Sequence, residues 1–241
     1  MVAVPVERDA VVDGLLGTAA RAQPRVVTLG PLPGVAIASA AGEVVVAAGG
    51  VGMAAAAAST AAALAGGALA GGAFAGGAFD LVLSAGIAGG FGDLPIGSLV
   101  VGARSIAVDL GCQTDVAFLP LSQMGLGVDT VNSPAQWRDV VAARSAASGI
   151  RVTVADIGSV STITGTAESA AEHLGRHGAV AEAMEGFGVA TAAALHDVPF
   201  VEVRSISNAV GPRDVSSWRI PEALSVLGGA LGSVFAEVWP W

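Results

Sequence analysis

Lysine and tyrosine are missing from this 241-residue chain, and cysteine occurs once. All 11 basic residues are arginine, so the two absences read as compositional drift toward alanine, glycine and arginine rather than as a functional signal. A lone Cys112 can make no intrachain disulfide and no thiolate metal cluster; it reads as a buried, inert thiol of a protein made in a reducing compartment. Positive charge is scarce too. Twenty acidic side chains face 11 basic ones, a formal net charge of -9, which repels a phosphate backbone and argues against nucleic acid as a partner. No export pattern is read at the start, where Glu7, Arg8 and Asp9 interrupt the apolar run, and a cytoplasmic location is expected.

Residues 44 to 79 carry no charge at all, a stretch long enough to cross a bilayer, for which about 20 helical residues suffice. It is built of alanine and glycine, which gain little from hydrocarbon, so no membrane span is expected. Metal ligands are equally sparse. His173, His177 and His196 are scattered without a second pair of partners, and neither a metal nor another cofactor is implied.

What the chain has is alternation. VAVPV reads as a buried strand and VERDAVVDGLL as a helix; VVVAAGG is a strand ending in glycines, followed by an alanine-rich helix. Residues 65 to 79 form an Ala-Gly-Gly quasi-repeat too short in period for a solenoid and too rich in glycine for a long helix, and are expected to be an expanded connection. Then DLVLSAGIAGGF reads as strand and glycine loop, SLVVGARSIAVD as strand, residues 133 to 149 as an amphipathic helix and RVTVADIGSVST as strand and loop. Helices over 167–173 and 184–196, the strand PFVEVRSIS and a helix over 221–238 close the pattern. A single α/β domain over 1–241 follows: a three-layer α/β/α arrangement with a twisted, mostly parallel mixed sheet, whose ligands sit beyond the carboxyl ends of the strands.

Four segments carry unusual residues. GVGMAA, starting at Gly50, has the G-x-G-x-x-A spacing of a dinucleotide site, but the acidic residue expected about 20 positions on is missing; close packing or backbone contact with another ligand is the other reading. SAGIAGGF, with Gly86 and Ile87, offers backbone amides suited to an oxyanion, a ribose oxygen or a held water, or is a bare turn. Met184-Glu185-Gly186 puts a carboxylate into the apolar run AVAEAMEGFGVATAAAL. That carboxylate needs a partner, either a ribose diol donating to both its oxygens or an arginine such as Arg204. RSISN closes a strong apolar strand, and Asn208 stands at its ligand-facing end, where asparagine also occurs for local turn reasons.

Taken together and in this order, GGVGMA, SAGIAGGF, AMEGFGVA and VRSISN resemble the nucleoside phosphorylase superfamily, especially its methylthioadenosine/S-adenosylhomocysteine nucleosidases, over nearly the whole chain. The resemblance of AVPVERDAV to the segment carrying the water-activating glutamate of those nucleosidases implies that role for Glu7. VEVRSISNAVGPRD followed by Trp218 looks most like the futalosine hydrolase family of menaquinone biosynthesis, which releases hypoxanthine. The methylthioadenosine nucleosidases carry aspartate where Asn208 stands. An amide can donate to O6 of a 6-oxopurine and accept a proton residing on N7, so asparagine suits hypoxanthine better than adenine. Two departures accompany the match: Ile87 replaces a serine, and Thr162 an aromatic that stacks on the base. By matching position, VSTITGT at 160–166 lines the purine pocket, with Ile163 offering backbone groups, and Met184 and Glu185 hold the ribose. A carboxylate tail on the substrate would need a cation, for which Arg213 and Arg219 are candidates. The resemblance also implies a homodimer or higher homo-oligomer. Rival readings are a methylthioadenosine-type nucleosidase, a purine nucleoside phosphorylase, a nucleoside-binding module without catalysis, and a membrane-associated protein.

Overall fold

The chain enters its fold through a helix rather than the expected strand. In the computed structural model, which describes residues 1–19, 22–69 and 79–240, helix α1 (Pro5–Thr18) starts at a proline. The missing N–H of proline costs nothing there and its φ is already helical. Of VAVPV only Val2 pairs, in one bridge to Ala48, because a strand cannot run on through a residue without a ladder donor. Next, β1 (Arg25–Leu29), β2 (Leu32–Ser39) and β3 (Gly42–Ala47) form a small antiparallel sheet. Helix α2 (Met53–Leu69) follows. It continues through Gly66 into the quasi-repeat, correcting the expected connection over 65–69. Alanine is the best helix former, and a Cβ on Gly66 would lie 2.6 Å from the Gly30 nitrogen, so the two backbones meet there. The rest of the repeat, 70–78, lies outside the described residues.

The larger sheet contains β4 (Val82–Gly90), β5 (Leu99–Ala107), β8 (Thr130–Asn132), β9 (Val152–Ser159), β10 (Ala181–Ala183) and β11 (Phe200–Ala209). Between β5 and β8 lies the hairpin of β6 (Gly111–Gln113) and β7 (Phe118–Pro120). Cys112 sits on that hairpin, exposed rather than buried, because a two-stranded ribbon has no second layer to cover it. The glycine loop expected after VLS is a strand: SAGIAGG is all part of β4, whose backbone pairs with β11 on one side and β10 on the other.

Strand order is β11-β4-β10-β9-β5-β8, and β11 also pairs with β5, so five strands close into a ring. The sheet is mixed. β4 and β11, β9 and β10, and β5 and β9 run parallel, while β4 and β10, β5 and β11, and β5 and β8 run antiparallel. Closure needs bent strands, and register shifts occur in β5 between Gly102 and Ser105 and in β11 between Ile206 and Asn208.

Around the ring pack α3 (Ala135–Ala147), α4 (Ala167–His177), α5 (Gly186–Leu195) and α6 (Ile220–Phe235). The core between α1, α6 and the sheets holds Val11, Leu15, Leu99, Val101, Val203, Leu227 and Leu231. Each such side chain contributes about 1.5–3 kcal/mol on burial. α1 and α6 touch backbone to backbone: a Cβ on Gly14 would lie 1.9 Å from the Gly228 carbonyl oxygen. α5 is almost wholly apolar and buries Gly186 to Ala190, Ala192 and Ala193, leaving Thr191 and its C-terminal end exposed. No helix among the described residues is long and apolar enough to cross a membrane.

Candidate active site

The site is organised around one buried cation. Arg204, on β11, is 1% exposed. It donates from Nε to Glu202 Oε1 at 2.9 Å and from Nη2 to Ser84 Oγ at 3.1 Å, and its Nη1 lies 3.2 Å from Glu185 Oε2. Burial works against its charge, but the carboxylates of Glu202, Glu185 and Glu7 outweigh that and hold it above the ordinary guanidinium value. Burial pushes the fully enclosed Glu202 carboxyl up, against the pull of Arg204.

Glu185 stands where β10 passes into α5, directly before Gly186. Its second oxygen accepts from the Gly52 N–H at 3.2 Å, and Gly52 aims that bond from a φ of +90°, which glycine adopts without strain. The arginine partner and the cavity-facing position therefore coexist at one carboxylate: Glu185 pairs with Arg204 and also lines the cavity. Gly186 must be glycine, since a Cβ would lie 2.0 Å from the Glu202 carboxylate.

Glu7 comes from the first turn of α1 and is buried. Its Oε2 accepts from the N–H groups of Ala3 (2.9 Å) and Val4 (3.3 Å), half of a capping box, and its Oε1 accepts from Ile87 N–H at 2.9 Å on β4. Gly86 lies beneath it: a Cβ would come within 2.5 Å of Arg204 Nη1 and 2.6 Å of Glu7 Oε1. Gly50, at φ +95°, donates to the Ala3 carbonyl at 3.0 Å and so anchors the segment that leads into α1.

Asn208 follows the bulge of β11. Its Nδ2 donates to the Ala209 carbonyl at 2.9 Å and its Oδ1 accepts from Ser207 Oγ at 2.8 Å, which leaves one N–H and one lone pair free to face a ligand. Glu7, Glu185 and Asn208, far apart in sequence, share one cavity of about 230 Å³ with Ile87, Ile163 and Met184. A larger cavity of about 650 Å³ is walled mainly by apolar side chains such as Val46, Leu64 and Trp137, with Glu43, Thr60 and Asp80 also on its lining.

With this geometry in place, comparison with known proteins is informative. The phosphorylase superfamily profile matches residues 26–234. A futalosine hydrolase of Streptomyces coelicolor is 47% identical over 241 residues, covering 99% of this chain and 95% of that one. The chain belongs to the phosphorylase superfamily and its futalosine hydrolase family. Among solved structures, the native futalosine hydrolase of Helicobacter pylori superposes with a TM-score of 0.78 at 19% identity, covering 97% of this chain and 94% of that one. The Neisseria meningitidis 5'-methylthioadenosine/S-adenosylhomocysteine nucleosidase in complex with methylthio-immucillin-A gives 0.77 at 20%, covering 97% and 95%. At these identities the structural likeness speaks for the fold alone.

Not every residue expected to serve a futalosine hydrolase site reaches this cavity. Thr162 is exposed and does not line it; the neighbouring Thr164 does, because the loop turns inward two residues later. Arg213 lines the cavity with its guanidinium 5.9 Å from the centre of the Trp218 ring, whereas Arg219 is exposed, lies off the cavity and uses its backbone N–H on the Ser207 carbonyl at 2.8 Å. Glu182 is the cavity residue the sequence reading missed. It sits in the same apolar run as Glu185, three positions earlier, and the rule that a buried carboxylate needs a partner applied to it equally.

Proposed function

We propose that the protein hydrolyses the N-ribosidic bond of futalosine, releasing hypoxanthine and dehypoxanthine futalosine as a step of menaquinone biosynthesis. The carrying observation is the meeting of Glu7, Glu185 and Asn208 at one small cavity, together with the 47% identity to a futalosine hydrolase.

In this reading the C1'–N9 bond breaks with its electron pair leaving on the purine, and the ribose becomes oxocarbenium-like. A water oxygen attacks C1' and its proton passes to Glu7 Oε1, the oxygen turned toward Ile87. Glu185 accepts from the ribose hydroxyls, with its orientation held by Arg204 and Gly52. Met184 packs beside the sugar and Ile163 beside the base. As the base departs it takes a proton on N7 from solvent water; Asn208 accepts from that N7–H and donates to O6, stabilising the charge that develops there. Arg213, on the cavity wall, takes the tail carboxylate.

A phosphorylase would need a guanidinium free to hold phosphate beside C1'. Arg204 is engaged by two carboxylates and Ser84, which supports water as the nucleophile. We further infer a single cytoplasmic domain that self-associates. The exposed Val116, Leu126 and Val128 around the β6–β7 hairpin offer an apolar surface for a second copy.

The test is incubation of the purified protein with futalosine, inosine and methylthioadenosine, with and without phosphate. Hypoxanthine release from futalosine in phosphate-free buffer, faster than cleavage of the other two, is expected. Strict dependence on phosphate, or faster release of adenine from methylthioadenosine, would sink the reading.

A further inference from the structure

The assigned roles leave one buried carboxylate on the cavity unused. Glu182 lies on β10, and its Oε1 accepts from Thr164 N–H at 2.9 Å. Its Oε2 accepts from the Thr164 hydroxyl, which stands 3.1 Å from His173 Nδ1. Two protein hydrogen bonds, with His173 Nδ1 a further 3.7 Å from Oε2, fix the carboxylate and leave lone-pair directions open toward the cavity. Lining the cavity, it can accept from a donor there.

Sheet register shows what stands beside it. Glu182 on β10 stands opposite Gly89 on β4, and Asn208 on β11 stands opposite the same Gly89 from the other side. Residues opposite one another in adjacent strands project to one face. A Cβ on Gly89 would lie 3.3 Å from Asn208 Nδ2, so that face is the one Asn208 occupies. Glu182 and Asn208 thus flank Gly89, whose missing side chain leaves room for Val210: its Cγ2 would lie 2.7 Å from a Cβ there, an apolar surface between the two polar groups. Gly89 is two residues along β4 from Ile87, whose N–H holds Glu7. That step is roughly 6.6 Å, the scale separating the anomeric carbon of a nucleoside from the far edge of its base.

We propose that Glu182 is a specificity-determining residue that accepts the N1–H of a 6-oxopurine, opposite Asn208 on the O6/N7 side. A carboxylate is only an acceptor. A 6-oxopurine presents N1–H as a donor, whereas a 6-aminopurine presents a bare N1 lone pair, which the carboxylate repels. The pair thus tells hypoxanthine from adenine with two groups where Asn208 alone supplies one. Thr164 and His173 are positioning residues that hold the carboxylate in place. This inference rests on the reading of the cavity as a purine nucleoside site.

Titration calorimetry with hypoxanthine, adenine and 1-methylhypoxanthine tests it. The unsubstituted protein should bind hypoxanthine more tightly than adenine, and more tightly than 1-methylhypoxanthine, which lacks the donor. Glu182→Gln, whose amide can turn either an oxygen or an NH₂ toward N1, should narrow the hypoxanthine-to-adenine ratio by about five- to a hundred-fold. A ratio unchanged within about twofold overturns the proposal. So does equal binding of hypoxanthine and 1-methylhypoxanthine by the unsubstituted protein, a measurement that needs no variant to fold. Base preference without futalosine cleavage would sink the proposed function and leave this assignment standing; cleavage with a Glu182-independent preference would do the reverse.

Discussion

Glu7 accepts three backbone N–H bonds from two separate parts of the chain, so it is both a structural tie and, in the proposed reaction, the base. Glu7→Gln removes the basic oxygen while keeping the size. Turnover should fall by about 10²–10⁴-fold, the usual worth of a positioned general base, with KM changing far less. The amide must turn its NH₂ toward one of those donors, so a loss of about 1–3 kcal/mol in stability should accompany it. Steady-state kinetics beside a urea melt separates the two effects, and unchanged turnover would refute the assignment. At this scale the sequence was informative where a residue type clashed with its surroundings, as with Glu185 in an apolar run and Asn208 at a strand end. Glu7 was legible only through the resemblance of AVPVERDAV to a nucleosidase segment, since VAVPV reads as a strand. Thr162 was misplaced because a loop's direction of turn is not written in one residue, and a shift of two positions exchanges an exposed threonine for a buried one.

Elements place these residues, and the contact of α1 with α6 is the sharpest case. Glycines at 14, 228 and 232 let the two backbones meet. α1 carries Glu7 at its start, so tilting α1 should move the carboxylate. Gly14→Ala should cost about 1–3 kcal/mol, the range for overpacking, despite alanine's better helix propensity, and should lower turnover in parallel; a stable, fully active variant would mean that α1 is not held by this contact. α4 gives a pH-dependent prediction. Burial, with help from neighbouring Arg176, lowers the His177 imidazole below its usual 6.5. The folded chain then resists a proton that the unfolded chain accepts, so this group's share of stability is present above 6.5 and is lost as pH falls below it. Urea unfolding between about pH 7 and pH 5 should show a shallower decline for His177→Gln; an identical slope would contradict it. Periodicity revealed α3, α4, α5 and α6 but not β4's course through its glycines. Glycine suggests a turn until a neighbouring side chain is known to need the space, and here Glu7, Arg204, Asn208 and Val210 need it.

Across the whole molecule, the cavity of the proposed site draws on α1, β4, β10 and β11, from Ala3 to Trp218. If the chain unfolds as a single unit, a ligand held there stabilises all of it. Hypoxanthine at about 100 times its dissociation constant should add about 2.7 kcal/mol and raise Tm by roughly 5–10 °C in one transition. Two transitions, with only one responding, would argue for separate folding units. The net charge of -9 belongs to this scale as well: an anionic substrate must be drawn in by a local cation, and Arg213 is the guanidinium on the cavity wall.

Strand–helix alternation was enough to determine the fold class, because a period is visible along the chain, and the misplaced polar residues Glu185 and Asn208 marked the segments that reach the cavity. Only the tertiary structure decided that five strands close into a ring, that Arg204 pairs with two carboxylates, and that Glu182 and Asn208 flank Gly89. Those depend on which strands become neighbours and in what register, a choice made by long-range pairing and bulges that no single stretch of sequence carries.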